Sequence, residues 1–132
     1  MILVDTSAWV EYDRATGSSV DQGLTQLITD DAQVAVTEPV VMEVVAGARS
    51  DERAADLRRF ELVHFDTAID FDAAIRIYRA CRRVGVTPGG MIDCMIASVA
   101  HRSGAAVLAR DADLARVAKV VGITLDQASR PA

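Results

Sequence analysis

Five carboxylates stand out from the 19 acidic residues of this 132-residue chain: Asp5, Glu43, Asp93, Asp111 and Asp113. Asp5 ends the apolar run Ile2-Leu3-Val4 and is followed at once by Thr6 and Ser7. A second apolar run, Ala105-Ala106-Val107-Leu108-Ala109, leads through Arg110 to Asp111 and Asp113. Two apolar runs that each finish on carboxylates predict parallel strands whose C-terminal ends share one edge, where ligand sites of open α/β sheets form. Carboxylates gathered there repel one another unless a cation lies between them. Glu43 lies within Val40-Val41-Met42-Glu43-Val44-Val45 and Asp93 within Met91-Ile92-Asp93-Cys94-Met95-Ile96-Ala97, and these segments predict buried neighbours for both acids. Buried Asp and Glu are rare unless paired or metal-bound.

The chemistry such a cluster supports is metal-assisted hydrolysis of a phosphate ester. Magnesium and manganese prefer oxygen ligands, and magnesium keeps several waters while taking only a few carboxylates. One or two such ions activate a water and stabilise the attacking and leaving oxygens of a phosphodiester. Thr6 or Ser7, at the same strand end, is placed to hold a water or phosphate oxygen. Each acid also has a structural explanation of its own. Asp5 suits a helix cap, Glu43 a polar helix edge or an arginine partner, Asp93 the amides of a first helical turn, and Asp111 and Asp113 a turn. One shared site accounts for the four segments together, which separate explanations do not.

These residues need elements to carry them. Ile2–Val4 reads as a strand, with Thr6 or Ser7 capping a helix that runs through Trp9 to about Arg14. Gly17-Ser18-Ser19 breaks the chain before a helix with Leu24, Leu27 and Ile28 on one face. Gln33–Val36 is a short strand, and Thr37-Glu38-Pro39 opens a helix through Glu43 that stops at Gly47. Ser50 caps a helix with Ala54, Leu57 and Arg58, before a strand at Leu62–Phe65. A long helix from about Ala68 to Val84 ends at Gly85. After the turn Thr87-Pro88-Gly89-Gly90 come a helix from Met91 to Arg102, the strand Ala105–Ala109, a helix from Asp113 to about Val120 and a last short strand at Ile123–Leu125. Strands alternating with helices predict an α/β fold with a parallel sheet of four to five strands, flanked by helices on both faces. The length fits a single domain over residues 1–132.

Composition narrows the classes further. A net charge of −5 argues against a broadly basic nucleic-acid binder, although it leaves room for an enzyme acting on nucleic acid. Arginine supplies 13 of the 14 basic residues, with Lys119 the one lysine. Cys81 and Cys94 are too few and too isolated for a zinc site or disulfide framework, and predict reduced, packed thiols. His64 and His101 lack ligand spacing, and hard cations select oxygen. No apolar stretch reaches transmembrane length and no signal-peptide pattern opens the chain, which predicts a cytoplasmic protein with no membrane association. Trp9 is expected to anchor the first helix to the core, with Val10 and Tyr12 beside it.

With these residues assembled, the whole chain resembles the PIN-domain ribonucleases, specifically the VapC-type toxins of bacterial toxin–antitoxin modules. The resemblance rests on Ile2-Leu3-Val4-Asp5-Thr6-Ser7-Ala8-Trp9-Val10, Glu43 in its apolar helix, Asp93-Cys94-Met95-Ile96-Ala97, and Leu108-Ala109-Arg110-Asp111-Ala112-Asp113-Leu114, in that order. The sequence departs from the family pattern at Ala109-Arg110 and Leu114 without losing a carboxylate. The resemblance implies a PIN-like fold in which Asp5, Glu43 and Asp93 form the core acidic triad and Asp111 is the fourth acid. Thr6 and Asp113 would be accessory. It implies a metal site centred on Asp5 and Asp93, with Glu43, Asp111 and Asp113 as further ligands, taking Mg2+ or Mn2+. The implied activity is endonucleolytic cleavage of structured RNA, tRNA or rRNA, by metal-activated water, leaving a 5′-phosphate and a 3′-hydroxyl. The implied partners are RNA, a second copy in a homodimer, and a cognate VapB-type antitoxin that covers the site and often inserts an arginine among the acids. Arg14, Arg49, Arg53, Arg58, Arg59, Arg82 and Arg83 are the candidates for holding RNA.

Two alternatives compete. An aspartyl-nucleophile phosphatase would use Asp111-x-Asp113 after a strand, but that chemistry needs a lysine near the phosphate, and Lys119 sits on a helix with no evident route there. A non-catalytic binding module on the same fold would retain the acids without cleaving RNA.

Overall fold

The computed structural model describes residues 1–48 and 52–130, apart from the side chains of Arg53 and Ala54. Its sheet has four parallel strands: β1 (Ile2–Val4), β2 (Val34–Val36), β3 (Glu61–Leu62) and β4 (Ala106–Leu108), in the order β3-β2-β1-β4. The helices among the described residues are α1 (Thr6–Asp13), α2 (Ser19–Thr29), α3 (Glu38–Gly47), α4 (Glu52–Leu57), α5 (Thr67–Arg83), α6 (Met91–Ser103) and α7 (Ala112–Val121). None is long and apolar enough to cross a membrane. The expected caps at Ser50 and the expected role of Arg49 lie outside the described residues, as does the side chain of Arg53.

The strands form where they do because parallel strands covered on both faces are nearly continuous apolar runs. Val34, Ala35 and Val36 are all buried, as are Leu3, Val4, Val107 and Leu108. Ile2, Leu3 and Val4 stand opposite Ala106, Val107 and Leu108, while Ile2 and Leu3 face Val34 and Ala35 on the other side. The chain therefore leaves β1 towards β2 and returns to β4 on the opposite flank. That reversal of strand order opens a crevice at the C-terminal ends of β1 and β4. Asp5 follows β1 directly, and its amide donates to the Leu108 carbonyl at 2.9 Å, which fixes it beside the end of β4.

Two expected strands are corrected. The third lies at Glu61–Leu62 instead of Leu62–Phe65. Val63 still donates to the Val36 carbonyl, but beyond it the Phe65 amide turns to Glu38 Oε1 and the His64 carbonyl accepts from Arg102. Side chains have taken over the bonds a longer ladder would use. At Ile123–Leu125 the pairing is a single parallel bridge, Leu125 with Val107, so this segment only edges the sheet. The tail beyond it is packed through Gly23 of α2, where an added Cβ would come within 2.5 Å of Ala128 Cβ.

The core on one face is organised by Trp9, fully buried, with ring contacts to Phe60 at 5.2 Å and Tyr12 at 6.0 Å. Aromatic pairs at such separations add to plain area burial. Between α5 and α6 the core contains a buried charge that the sequence did not reveal. Asp70 is fully buried and accepts from Ser98 Oγ at 2.6 Å, from Arg102 at 2.7 and 3.2 Å, and from the Asp66 amide at 2.8 Å. Burial works to raise its carboxyl, but these donors outweigh it and hold it below the usual range. Removing Arg102 would strand the fully buried carboxylate of Asp70. Arg102→Ala should therefore cost about 3 kcal/mol, seen as a lower urea midpoint at unchanged slope. A midpoint equal to that of the unaltered protein would show that the network does not support the packing of α5 on α6.

Candidate active site

The four aspartates converge because three helices begin at the same edge of the sheet. Asp5 is the N-cap of α1: its Oδ2 accepts from the Ser7 amide at 3.0 Å and the Ser7 hydroxyl at 2.5 Å. Asp111 is the N-cap of α7, its Oδ1 accepting from the amides of Asp113 at 2.8 Å and Leu114 at 3.2 Å. Asp93 and Asp113 lie in the first turns of α6 and α7. An Asp at an N-cap satisfies amides the helix leaves unpaired, and the positive end of the helix dipole favours it. The structural explanations weighed for Asp5, Asp93 and Asp111 thus hold alongside a shared site, and the cap is Asp5 instead of Thr6 or Ser7.

The electrostatics show the crowding. Burial raises the Asp5 carboxyl, opposed by the two bonds from Ser7, and Asp111 adds to the rise. Burial also drives up Asp93, helped by the charges of Asp111, Asp5 and Asp113, to about 7. These groups lie close enough to feel one another as like charges. Gly89, in the turn before α6, closes one side of the group. A Cβ there would sit 2.8 Å from Asp113 Oδ2 and 3.0 Å from Asp93 Oδ2. Only glycine brings its backbone this near two carboxylates, and the Gly89 backbone donates to Asp93.

Glu43 joins differently. The expectation of buried neighbours holds on one side only: Val44 is buried, but Met42 is 57% exposed. Glu43 itself is exposed and is held to the cluster by Thr6, whose hydroxyl donates to Glu43 Oε1 at 2.7 Å. Thr6 is thereby committed to a protein partner. Sequence reasoning missed Arg110 and Arg116, which pair with Glu11 and Asp113 at the edge of the site. Arg116 stands three residues after Asp113 on α7, a spacing that signals contact on one helix face. Lys119 lies in the last turn of α7, about 12 Å along the axis from the capping end. That placement disfavours the phosphatase alternative. Cys94, beside Asp93, is buried, and burial with the nearby Cys81 and Asp93 pushes its thiol up to about 11. It stays protonated at neutral pH and is no nucleophile.

Among the described residues, no three His, Cys, Asp or Glu side chains are arranged to ligate one ion together. The donor set nevertheless fits a hard divalent cation. It is all oxygen, it is crowded with like charge that a cation would relieve, and Mg2+ needs only one or two carboxylates beside its waters.

Comparison with known proteins gives a consistent picture. Residues 2–120 match the family described as PIN domain. Ribonuclease VapC11 of Mycobacterium tuberculosis is 44% identical over 128 residues, 93% of this chain and 96% of that protein. Among solved structures, VapBC2 from Rickettsia felis, bound to a DNA fragment from its promoter, superposes with a TM-score of 0.70 at 19% identity, covering 96% of this chain and 98% of that one. VapC20 of Mycobacterium tuberculosis, a sarcin–ricin loop cleaving toxin, superposes with a TM-score of 0.64 at 21% identity, covering 87% of this chain and 93% of that one. At such identities the two structures bear out the α/β PIN-like fold and no more.

The raised carboxyl of Asp93 has a thermodynamic consequence. Its folded pKa, about 7, exceeds the ordinary 3.8, so between those values the folded chain binds more protons than the unfolded one. Stability from this group is full at low pH and is lost as pH rises towards 7. In chelator, Asp93→Asn should match the unaltered protein at pH 4 and exceed it at pH 8 by about 1 kcal/mol, roughly 3–5 °C in Tm. The full linkage of roughly 4 kcal/mol is reduced by solvent screening of this half-buried group. A thermal-melt difference that does not grow with pH would show the repulsion to be absent.

Proposed function

The chain belongs to the PIN-domain family, among the VapC ribonucleases, and from that membership we propose that it is the toxin of a type II toxin–antitoxin module, an endoribonuclease that hydrolyses structured RNA with a divalent cation. The observation that carries this reading is the convergence of Asp5, Asp93, Asp111 and Asp113 at the β1–β4 crevice, with Asp93 raised by burial and by the charges of the other three. Asp5 and Asp93 would hold the ion, Mg2+ or Mn2+, with Glu43, Asp111 and Asp113 as further ligands or holders of its waters. When bound, such an ion lowers the pKa of water and neutralises charge on a phosphodiester. The protein's own residues supply the rest. Gly89 keeps one side of the cluster free of side-chain bulk. Thr6 fixes Glu43 at the open rim by its hydroxyl bond.

The substrate class is supported by the relatives. VapC20 cleaves the sarcin–ricin loop, as its name states, which favours structured RNA such as tRNA or rRNA as the target here. A repulsive acid cluster in a chain of net charge −5 needs cations nearby to receive a polyanion. Arg116, paired with Asp113, and Arg110, next to Asp111 and paired with Glu11, join Arg14, Arg58, Arg59, Arg82 and Arg83 as candidates. A VapB-type antitoxin is the proposed partner. An apolar groove of about 410 Å3 lined by Val36, Val41, Met42, Leu57, Phe60 and Leu62 runs beside the helix that carries Glu43. It offers an apolar seat next to the acids, where an arginine of the partner would be attracted. A homodimer in the cytoplasm, on residues 1–132 as a single PIN domain, completes the proposal.

The test is to purify the chain free of antitoxin and sequence the 5′ ends of RNA after incubation. Cleavage at defined sites, lost in EDTA and restored by added Mg2+, is the expected result; undiminished cutting in chelator overturns the metal assignment. Asp5→Asn should lower kcat by a factor on the order of a hundred or more, as loss of several kcal/mol of transition-state stabilisation requires. Growth arrest equal to that of the unaltered toxin, on induction of Asp5→Asn, would remove Asp5 from the site.

A further inference from the structure

We propose that Ser7 is a positioning residue that locks Asp5 to the β4–α7 loop, and so sets the distance between the two halves of the acid cluster. Its hydroxyl sits between two fixed groups. The Arg110 amide, which can only donate, gives its hydrogen to Ser7 Oγ at 2.9 Å. The hydroxyl proton is then free to go to Asp5 Oδ2, at 2.5 Å. One lone pair and the one proton are both used, and each bond ends on a different side of the crevice. Arg110 is followed directly by Asp111, which caps α7. Ser7 therefore fastens the carrier of Asp5 to the carrier of Asp111, two acids that repel each other.

The neighbouring hydroxyl points the other way. Thr6 donates to Glu43 on α3, so the consecutive pair Thr6-Ser7 ties β1 to both flanks of the site. Neither hydroxyl has a proton left to give a phosphate oxygen, one of the roles the sequence suggested for them. Ser7 acts through Asp5. Both of its donors fall on Oδ2, so the amide and hydroxyl of one residue fix the orientation of the Asp5 carboxylate. The arrangement matches the general behaviour of metal sites, where groups that hydrogen-bond a ligand orient it, and their loss costs 10–100-fold in affinity or activity.

This inference rests on the proposed reading of Asp5 as a ligand of a divalent ion, and the experiment separates the two. Mn2+ binding to the antitoxin-free protein is measured by calorimetry for the unaltered chain, Ser7→Ala, Ser7→Cys and Ser7→Thr. RNA cleavage is followed in parallel, and exchange of the Arg110 amide is read by NMR. Ser7→Ala should bind Mn2+ at least tenfold more weakly, cleave with a lower kcat at unchanged KM for RNA, and lose protection at the Arg110 amide. Ser7→Thr, which keeps the hydroxyl, should restore all three. Ser7→Cys, close in size but a weak donor, should fall between them, and it serves where Ser7→Ala fails to fold. Mn2+ affinity unchanged in Ser7→Ala, or in Ser7→Cys where that variant stands in, overturns the positioning role while leaving the metal site intact. An unaltered protein that binds no Mn2+ overturns both readings.

Discussion

Asp93 is partly buried within reach of three other negative charges, those of Asp111, Asp5 and Asp113, and burial first, then those charges, raise its carboxyl to about 7. Holding four carboxylates at one sheet edge is unfavourable in water and more so where burial lowers the local dielectric. The molecule offsets this with amides. Asp5 and Asp111 each cap a helix, while Asp93 and Asp113 occupy first turns, so all four face the positive ends of α1, α6 and α7. Each helix dipole contributes about half a unit of positive charge at such an end. Three helix starts reduce the repulsion of four acids without cancelling it. What remains is an attraction for cations.

The sheet exists to bring those helix starts together. Its strands are two or three residues long, too short to be stable alone. They are held by the layers on either side, through residues such as Trp9, Leu24, Leu57, Ile96 and Leu114, all buried. Because β1 is central and β4 lies on the flank opposite β2, the connections diverge at one point. The loops after β1 and β4 must then meet side by side. The bond from the Asp5 amide to the Leu108 carbonyl continues the ladder by one step into the loops and registers them.

Much of this was legible in the sequence, for identifiable reasons. Apolar runs that end on acids marked β1 and β4 to within a residue, since a parallel strand's burial on two faces leaves an unbroken pattern. Gly85 marked the end of α5 correctly, and it adopts the left-handed conformation there. The third strand was displaced because the signal at Val63 to Phe65 is apolar whether or not a ladder forms. Glu38 and Arg102, distant in sequence, claim those backbone groups. Glu43 was misplaced in depth, since the run Val40 to Val45 hides which helix face meets the core. The ties that matter most, Ser7 with Arg110 and Asp70 with Arg102, join residues 103 and 32 positions apart. No local pattern encodes such pairs.

The separation of stability from site chemistry follows from where these ties lie. The buried Asp70 is satisfied by four donors from its own and neighbouring elements, on the part of α6 remote from Asp93. It contributes rigidity between α5 and α6 and is held in the charged form. Asp93, one helix end away, is held towards the neutral form by burial and by its neighbours' charges. The same residue type on the same pair of helices therefore ends in opposite states, decided by whether guanidinium or carboxylate lies next to it. On the proposed reading, an ion binding among the aspartates would favour the folded chain over the unfolded one by mass action. The repulsion among the acids and their affinity for such an ion are then two measures of one arrangement, and a residue that fixes the spacing of the acids tunes both.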